Sequence, residues 1–275
     1  MKKVAIVGLG WLGMPLALSL LGRGWTVIGS KTTQDGVEAA RMCGIESYPL
    51  QLTPVLECDS EDLDTLLNVD ALVITLPARR SGGEGDFYLR AVQEIVDSAL
   101  AHGVPRIIFT SSTSVYGDAE GVVNEHSPLN PVTESARTLR ELELWLHGLP
   151  GTSVDILRLA GLVGPHRHPG RFFAGKRAPN GNHSVNLVHL DDVVNAIVLL
   201  LQAPHGGHLY NICAPVHPSR AQFYPLQTHK LGLEPPAFTD DRSGRVGKKV
   251  DGSLICNELG FEYRYPDPRE MPLDA

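Results

Sequence analysis

Near its start the chain reads VAIVGLGWLGMPLALSLL, Val4 to Leu21. Val4, Ala5, Ile6 and Val7 form an apolar run too short for a helix and without polar alternation, the pattern of a strand buried on both faces. Three glycines follow, Gly8, Gly10 and Gly13, and then an apolar stretch from about Trp11 to Leu21 that reads as a helix. In this G-x-G-x-x-G spacing the first glycine permits a tight turn, the second lets backbone approach a pyrophosphate, and the third lets helix pack on strand. Unpaired N–H groups and the macrodipole at the start of such a helix favour a phosphate. A second short buried strand, Gly24 to Ser30, follows at the distance a βαβ unit requires, so the stretch predicts a dinucleotide-binding opening.

The same letters permit another reading. Lys2 and Lys3 precede a long apolar run, and Ala17-Leu18-Ser19 fits a small-residue cleavage pattern, as in an export signal. Cleavage there would delete the first strand with its glycines and leave a sheet without its centre, so the glycine loop predicts a cytoplasmic chain. Cys43, Cys58, Cys213 and Cys256 show no C-x-x-C pairing and sit in apolar or helical contexts, which predicts reduced thiols. Another apolar run, Val193 to Leu201, is far short of the roughly 20 residues that cross a bilayer. A net charge of −7, with no basic run longer than Lys248-Lys249, argues against nucleic acid or an anionic membrane as partner.

At 275 residues and 43% hydrophobic composition, the chain can build one large α/β unit with a small appended lobe. Further strands are predicted at Ser47 to Leu52, Asp70 to Ala78, Pro105 to Ser112, Ser153 to Gly161 and Ser184 to Leu190. Helices are predicted at Gly36 to Gly44, Phe87 to Gly103, Glu134 to His147 and Asp191 to Gln202. Such alternation implies a parallel sheet with right-handed crossovers, here a Rossmann-type doubly wound α/β fold. Prolines at 204, 215, 218, 225, 235 and 236 break the tail into short pieces around Arg220 to Gly232, before a last helix within Gly252 to Phe261. Residues 1–161 are expected to form the dinucleotide-binding core. Residues 162–275 are expected to form a mixed region, with the last core strands and a small substrate-side lobe, across a soft boundary.

An Asp or Glu at the end of the second strand would accept from a free ribose 2′-hydroxyl, whereas a basic group would accommodate a 2′-phosphate. The stretch here is Ser30-Lys31-Thr32-Thr33, with no acid before Asp35. This favours NADP(H) over NAD(H), unless Lys31 is only a solvated turn residue. Ligands of open α/β sheets bind at the C-terminal ends of the strands. The dinucleotide is therefore expected against Gly8, Gly10, Trp11, Leu12, Gly13, Ser30, Lys31, Thr32, Leu76, Pro77, Ala78 and Ser111.

FTSSTSVYGD, Phe109 to Asp118, closes the fifth strand. It is followed by RLAGLVGP (Arg158 to Pro165), NLVHLDDVVNAI (Asn186 to Ile197) and LYNI (Leu209 to Ile212). With the glycine loop before them, these segments make the chain resemble the extended short-chain dehydrogenase/reductases, the nucleotide-sugar epimerases and dehydratases, from Lys3 to about Phe261. It is most similar to the YeeZ-like members of the atypical branch. The resemblance puts Ser112 where the family has its substrate-binding serine or threonine, and Tyr116-Gly117 in the turn after it, which makes Ser112 and Tyr116 the candidate catalytic residues. It also implies a catalytic Tyr-x-x-x-Lys beginning four residues after Pro131, yet Ser135 and Leu139 stand there, and Asn130 to His147 contains neither Tyr nor Lys. A tyrosine near pKa 10 transfers protons readily only when a lysine and the nicotinamide charge lower that value, and such transfer contributes roughly 10²- to 10⁴-fold. Glu134, Arg137, Tyr116 and Tyr88 are conceivable substitutes, although Glu134 and Arg137 also read as a helix-start carboxylate and a solvated cation. The glycine spacing departs as well, since most relatives in that superfamily have G-x-x-G-x-x-G.

His166 and His168 lie two apart in a glycine-proline loop and lack a third ligand at metal spacing, so no metal is expected. Arg167, Arg171 and Lys176 suit an anionic substrate, because the resemblance makes this the loop that covers a sugar nucleotide. Arg242 to Gly252 is a second cationic loop, near the family's pyrophosphate-binding arginine or simply solvated. His189, Asp191 and Asp192 read as strand-end and helix-cap residues, with Asp191 as N-cap. The expected function is that of an NAD(P)-dependent epimerase/dehydratase or oxidoreductase on a nucleotide-linked or otherwise anionic small molecule, with an unconventional proton donor. The alternative is an NADP(H)-binding sensor or partner protein without turnover. Either is compatible with a homodimer. The mature protein is expected to begin at Met1 or Lys2, and an intact mass showing cleavage near Ser19 would restore the export reading.

Overall fold

β1 (Lys3–Val7) runs through the interior of a 7-stranded parallel sheet, and Val4 to Val7 are completely buried there. The computed structural model describes residues 2–53, 55–78, 85–239 and 244–273. On one side of β1 lie β2 (Thr26–Lys31) and then β3 (Glu46–Pro49). On the other come β4 (Ala71–Ile74), β5 (Arg106–Ser112), β6 (Ser153–Leu159) and β7 (Leu209–Ile212), giving the order β7-β6-β5-β4-β1-β2-β3. Strands covered on both faces need unbroken apolar runs, which KVAIV and ALVI supply.

The helices are α1 (Gly13–Gly22), α2 (Gln34–Met42), α3 (Ser60–Leu67), α4 (Gly85–Ala101), α5 (Glu134–His147), α6 (Leu190–Gln202), α7 (Arg220–Lys230) and α8 (Leu254–Leu259). The direction of winding reverses between β1 and β4. Right-handed crossovers then put α1 and α4 on opposite faces of the sheet, where α1 packs beside α6 and α4 beside α5. Reversal also parts the loops that follow β1 and β4, and a crevice opens at the C-terminal edge.

Several elements differ from their sequence expectation. β3 stops at Pro49, and Gln51–Leu52 instead pairs antiparallel with Leu56–Glu57. α3 was not expected at all, although Asp59 announces it by accepting from the N–H groups of Glu61 and Asp62. β4 ends at Ile74 rather than Ala78, since Thr75 turns its hydroxyl onto the Gly8 carbonyl at 2.6 Å. The expected strand from Ser184 to Leu190 shrinks to Leu187–His189, which pairs with Gly161–Val163 outside the main sheet. Asp191 is not the cap of α6: His189 Nδ1 accepts the Asp191 N–H at 3.1 Å, while its Nε2 donates to the Pro272 carbonyl. α7 runs through Pro225, held at its start by a reciprocal capping box between Ser219 and Gln222.

Beyond β6 the chain supplies both an edge strand of the sheet, β7, and elements outside the sheet, the lobe. The lobe has its own apolar cluster of Val163, Val185, Leu187, Ala214, Phe223, Met271 and Leu273. A turn at Pro169–Arg171 packs on α7, where Thr228 Oγ1 donates to the Gly170 carbonyl at 2.9 Å. Lys248–Val250 pairs with Gly121–Val123 and so ties the end of the chain to the loop after β5.

A Cβ on Gly13 would lie 2.1 Å from the Gly8 carbonyl oxygen, a backbone atom that cannot swing aside. Gly13→Ala is therefore expected to cost about 1–3 kcal/mol by overpacking, seen as a melting temperature lowered by about 2–4 °C per kcal/mol. Gly10→Ala meets no atom within 4 Å and should melt within about 0.5 kcal/mol of the parent protein. Equal melting of the two variants would refute the close helix-on-strand contact.

Candidate functional site

The crevice is built first of backbone. Gly8 holds φ +104°, a conformation that side chains resist, and so starts the turn. Gly10 faces open space. Behind it α1 starts at Gly13, with Leu12 as an N-cap that offers no side-chain hydrogen bond, whereas α2, α5 and α7 are capped by Thr33, Thr133 and Ser219. An open glycine and an uncapped helix start leave N–H donors and the positive end of a dipole facing one space, which fits a diphosphate. Gly8, Gly10, Trp11, Leu12 and Gly13 form this wall. Leu76, Pro77 and Ala78 leave β4 beside it; the Leu76 side chain lies 3.4 Å from a Cβ placed on Gly8, and its carbonyl accepts from Tyr88 Oη at 2.9 Å.

At the β2 end of the crevice, Ser30 is buried and its carbonyl accepts the Leu9 N–H at 3.2 Å. Lys31 is partly exposed, its stem resting against Gly36 at the start of α2, and it forms no ion pair among the described residues. Thr32 is exposed and offers its carbonyl to Gln51. Asp35, the acid nearest in sequence, lies in the first turn of α2. The geometry thus groups a cation and hydroxyls where the second strand ends.

At the end of β5 two adjacent serines point to different surroundings. Ser111 is buried, and its hydroxyl donates to Glu143 Oε1 on α5. Ser112 is partly exposed and accepts the Ser114 N–H at 3.1 Å, which leaves its own proton free for another acceptor. Ser111 therefore meets a side chain behind the crevice.

That side chain opens a network which the sequence did not disclose. Glu143 receives Arg158 from β6 through Nη2 at 2.7 Å and Nε at 3.1 Å, and both side chains are about 5% exposed. Arg158 Nη1 donates to Tyr116 Oη at 2.9 Å, and Tyr116 Oη donates to Asn211 Oδ1 at 2.7 Å. Asn211 in turn gives its backbone N–H to Glu125 and its amide to the Asp251 carbonyl. Burial pushes the Tyr116 hydroxyl up, opposed by Arg158 and Asn211, and burial likewise pushes Glu125 up. Tyr116 was a candidate for proton transfer. Its ring is fully buried and its hydroxyl is engaged on both sides, so here it braces β5 against β6 and β7. Tyr88 is also held, by Leu76, and burial raises its pKa.

Ser135, Leu139 and Glu143 lie on one face of α5 by their four-residue spacing. Leu139 is buried in the main core, filling with hydrocarbon the position where the family resemblance implied a lysine. Glu134 and Arg137 are exposed at the start of the same helix, and Arg137 donates to the Val132 carbonyl. No acid/base pair stands on α5 at the implied positions.

Cations gather on the lobe side. Lys248 Nζ donates to the Thr113 and Gly117 carbonyls at 3.1 and 2.8 Å, tying the lobe to the turn that carries Ser112. Burial lowers its pKa, Arg220 lowers it further, and Asp118 opposes them. Arg220 sits 5.9 Å over Phe173, within a cluster of Phe172, Phe173, Tyr224 and Phe238. Lys176 donates to the Phe172 carbonyl, and His168 accepts the Gly170 N–H. Arg242, at the start of the second cationic loop, lies outside the described residues.

Removing the cation of the buried pair alone should be costly. Arg158→Met leaves Glu143 and Tyr116 buried with unmet partners, for an expected loss of about 3–5 kcal/mol of stability. The double variant Glu143→Leu, Arg158→Met should recover most of it. Denaturant unfolding of the singles and the double gives the coupling, and strict additivity would mean that the pair does not act as a unit.

Residues 4–213 match the NAD dependent epimerase/dehydratase family. Over its full length and that of the relative, the chain is 73% identical to Protein YeeZ of Escherichia coli K12. Its fold is that of the UDP-Glc/GlcNAc 4-epimerase of Campylobacter jejuni, with a TM-score of 0.80 at 18% identity, covering 98% of this chain and 96% of that one. It is also that of MoeE5 in complex with UDP-glucose and NAD, with a TM-score of 0.75 at 24% identity, covering 98% and 95%.

Proposed function

The chain belongs to the NAD dependent epimerase/dehydratase family, and on that premise we propose that it binds NADP(H), and NAD(H) less tightly, in the crevice from Gly8 to Gly13. Bound there, a nicotinamide dinucleotide would supply a ring that accepts and returns a hydride. We further propose that the lobe receives an anionic, nucleotide-linked small molecule, in the cytoplasm, and that its reacting hydroxyl or carbonyl meets Ser112 rather than a tyrosine.

The observation that carries this reading is the backbone cradle: an open Gly10 in front of an uncapped α1, with Gly13 close enough to Gly8 to hold the two in place. Lys31 supports the 2′-phosphate, because it ends β2 unpaired among the described residues and no carboxylate stands beside it in sequence until Asp35. Arg220, Lys248 and the aromatic rings around Phe173 support a ligand with negative charge and a flat base. MoeE5, which shares the fold, holds UDP-glucose and NAD. Ser112 supports proton handling, since its hydroxyl accepts from Ser114 and can still donate.

Leu139 favours a second reading. A site with hydrocarbon in place of a lysine suits a protein that binds the dinucleotide without turning a substrate over. Calorimetric titration with NADP and NAD, followed by incubation of the loaded protein with UDP-glucose, UDP-glucuronic acid and a wider library of anionic metabolites, separates the cases. Absorbance at the reduced-nicotinamide band and product analysis read the turnover. Binding with turnover supports the first reading, binding without turnover across the library supports the second, and no binding of either dinucleotide overturns both.

Lys31→Ala is expected to weaken NADP binding by about 1–3 kcal/mol, the range of a charge-assisted hydrogen bond, and to leave NAD nearly unchanged. Equal losses for the two cofactors would remove Lys31 from the 2′-phosphate.

A further inference from the structure

Trp11 joins the glycine loop to the substrate side of the molecule. Its indole Nε1–H donates to the Pro165 carbonyl at 2.6 Å. A Cβ on Gly164, which holds φ +152°, would come within 3.2 Å of the same ring, so the loop after Val163 packs tightly on Trp11 at a glycine. Gly164 and Arg167 exchange two backbone hydrogen bonds, and between them His166 adopts φ +60°, an uncommon conformation for a residue with a side chain. The tight turn sets Arg167 over Trp11, its guanidinium carbon 4.3 Å from the ring centroid.

Arg167 forms no ion pair among the described residues. Partial burial lowers its pKa, as for a cation that has lost water without gaining a carboxylate. The ring on which it lies belongs to the residue whose own backbone stands between Gly10 and the start of α1. Trp11 is the residue next to Gly10, whose Cβ position meets no atom within 4 Å. In the same cationic loop Lys176 is bonded to the Phe172 carbonyl, and Arg171 is exposed at the end of the turn that packs on α7.

We propose that Arg167, laid flat on Trp11, pairs with the diphosphate of the bound dinucleotide and closes a clasp between the glycine loop and the loop after Val163. The inference rests on the dinucleotide-binding reading and moves Arg167 from the substrate to the cofactor. It also gives a use to the turn at His166, which carries the guanidinium to the indole. Loss of Arg167 then weakens every ligand that carries the diphosphate, with or without a 2′-phosphate and with or without the nicotinamide.

Calorimetric titration of the full chain with NAD, NADP and ADP-ribose, in the parent protein and in Arg167→Gln, tests this. The dissociation constant of all three should rise by about 10- to 100-fold, the range for a charge-assisted contact to an anion. Arg167→Lys should recover only part of the loss, since a lysine keeps the charge without the planar stacking. In a Trp25→Phe, Trp145→Phe background, Trp11 is the remaining indole; its emission should change on adding NAD and change less when Arg167→Gln is added. If that background does not fold, the titrations alone decide. Unchanged constants for Arg167→Gln, while the parent binds, would overturn the clasp and leave the dinucleotide reading standing. Weaker binding of UDP-glucose alone would return Arg167 to the substrate. Failure of the parent protein to bind any of the dinucleotides would instead overturn the reading on which the clasp rests.

Discussion

The approach of Gly13 to the Gly8 carbonyl governs the rest of the architecture. It lets α1 start directly over the end of β1, so that the helix lies down the sheet with Leu16, Ala17 and Leu20 buried against it. With α1 seated there, the next strand pairs with β1 in the register Val7 to Ser30, and Leu9 can donate back to Ser30. Thr75 then closes the other side by bonding Gly8. A contact between two backbones thus fixes both neighbours of the central strand, and the crevice is what remains between them.

The second fixed point lies under the floor of the site. Glu143 and Arg158 are charges taken out of water, and an exchange for apolar residues is often neutral or stabilising. Their value here is geometric. Arg158 binds Glu143 on α5 with two nitrogens and Tyr116 with a third, so helix, β6 and the turn after β5 cannot shift independently. Asn211 extends the constraint to β7, and Asp251 brings in the end of the chain. Ser112 consequently stands on a turn braced from below by Tyr116 and from the lobe by Lys248.

What the letters disclosed and what they hid follow from the range of the interactions involved. Gly8, Gly10 and Gly13 were legible because a turn of that shape demands glycine whatever lies around it. α5 was legible to its ends, since Thr133 caps it and its apolar positions recur with helical period. Arg158 lies among apolar residues in DILRL, but its pairing with Glu143 depends on which helix covers β6, which spacing alone does not give. Asp191 looked like a cap by composition, and His189, two residues earlier, took the role because its ring is pinned by a carbonyl more than 80 residues away. The antiparallel ribbon at Gln51–Leu52 and Leu56–Glu57 was hidden for a related reason, as each arm is too short to show a period.

Binding and chemistry are separable in this scaffold because they rest on different atoms. The cradle proposed for the dinucleotide consists of backbone N–H groups and a helix start, which no side-chain change on α5 touches. The family's acid/base pair would need two side chains on α5, at the positions of Ser135 and Leu139. Leucine at the second adds apolar burial to a helix already held by Leu142 and Leu146. The consequence for the site is electrostatic. A lysine at the position of Leu139 would favour a negative oxygen nearby, whereas the buried leucine leaves that place less tolerant of charge. On the proposed reading, proton transfer in this crevice would come from a group that stays neutral or brings its own counter-charge, and Ser112, on a turn whose carbonyls hold the Lys248 ammonium, would meet that condition.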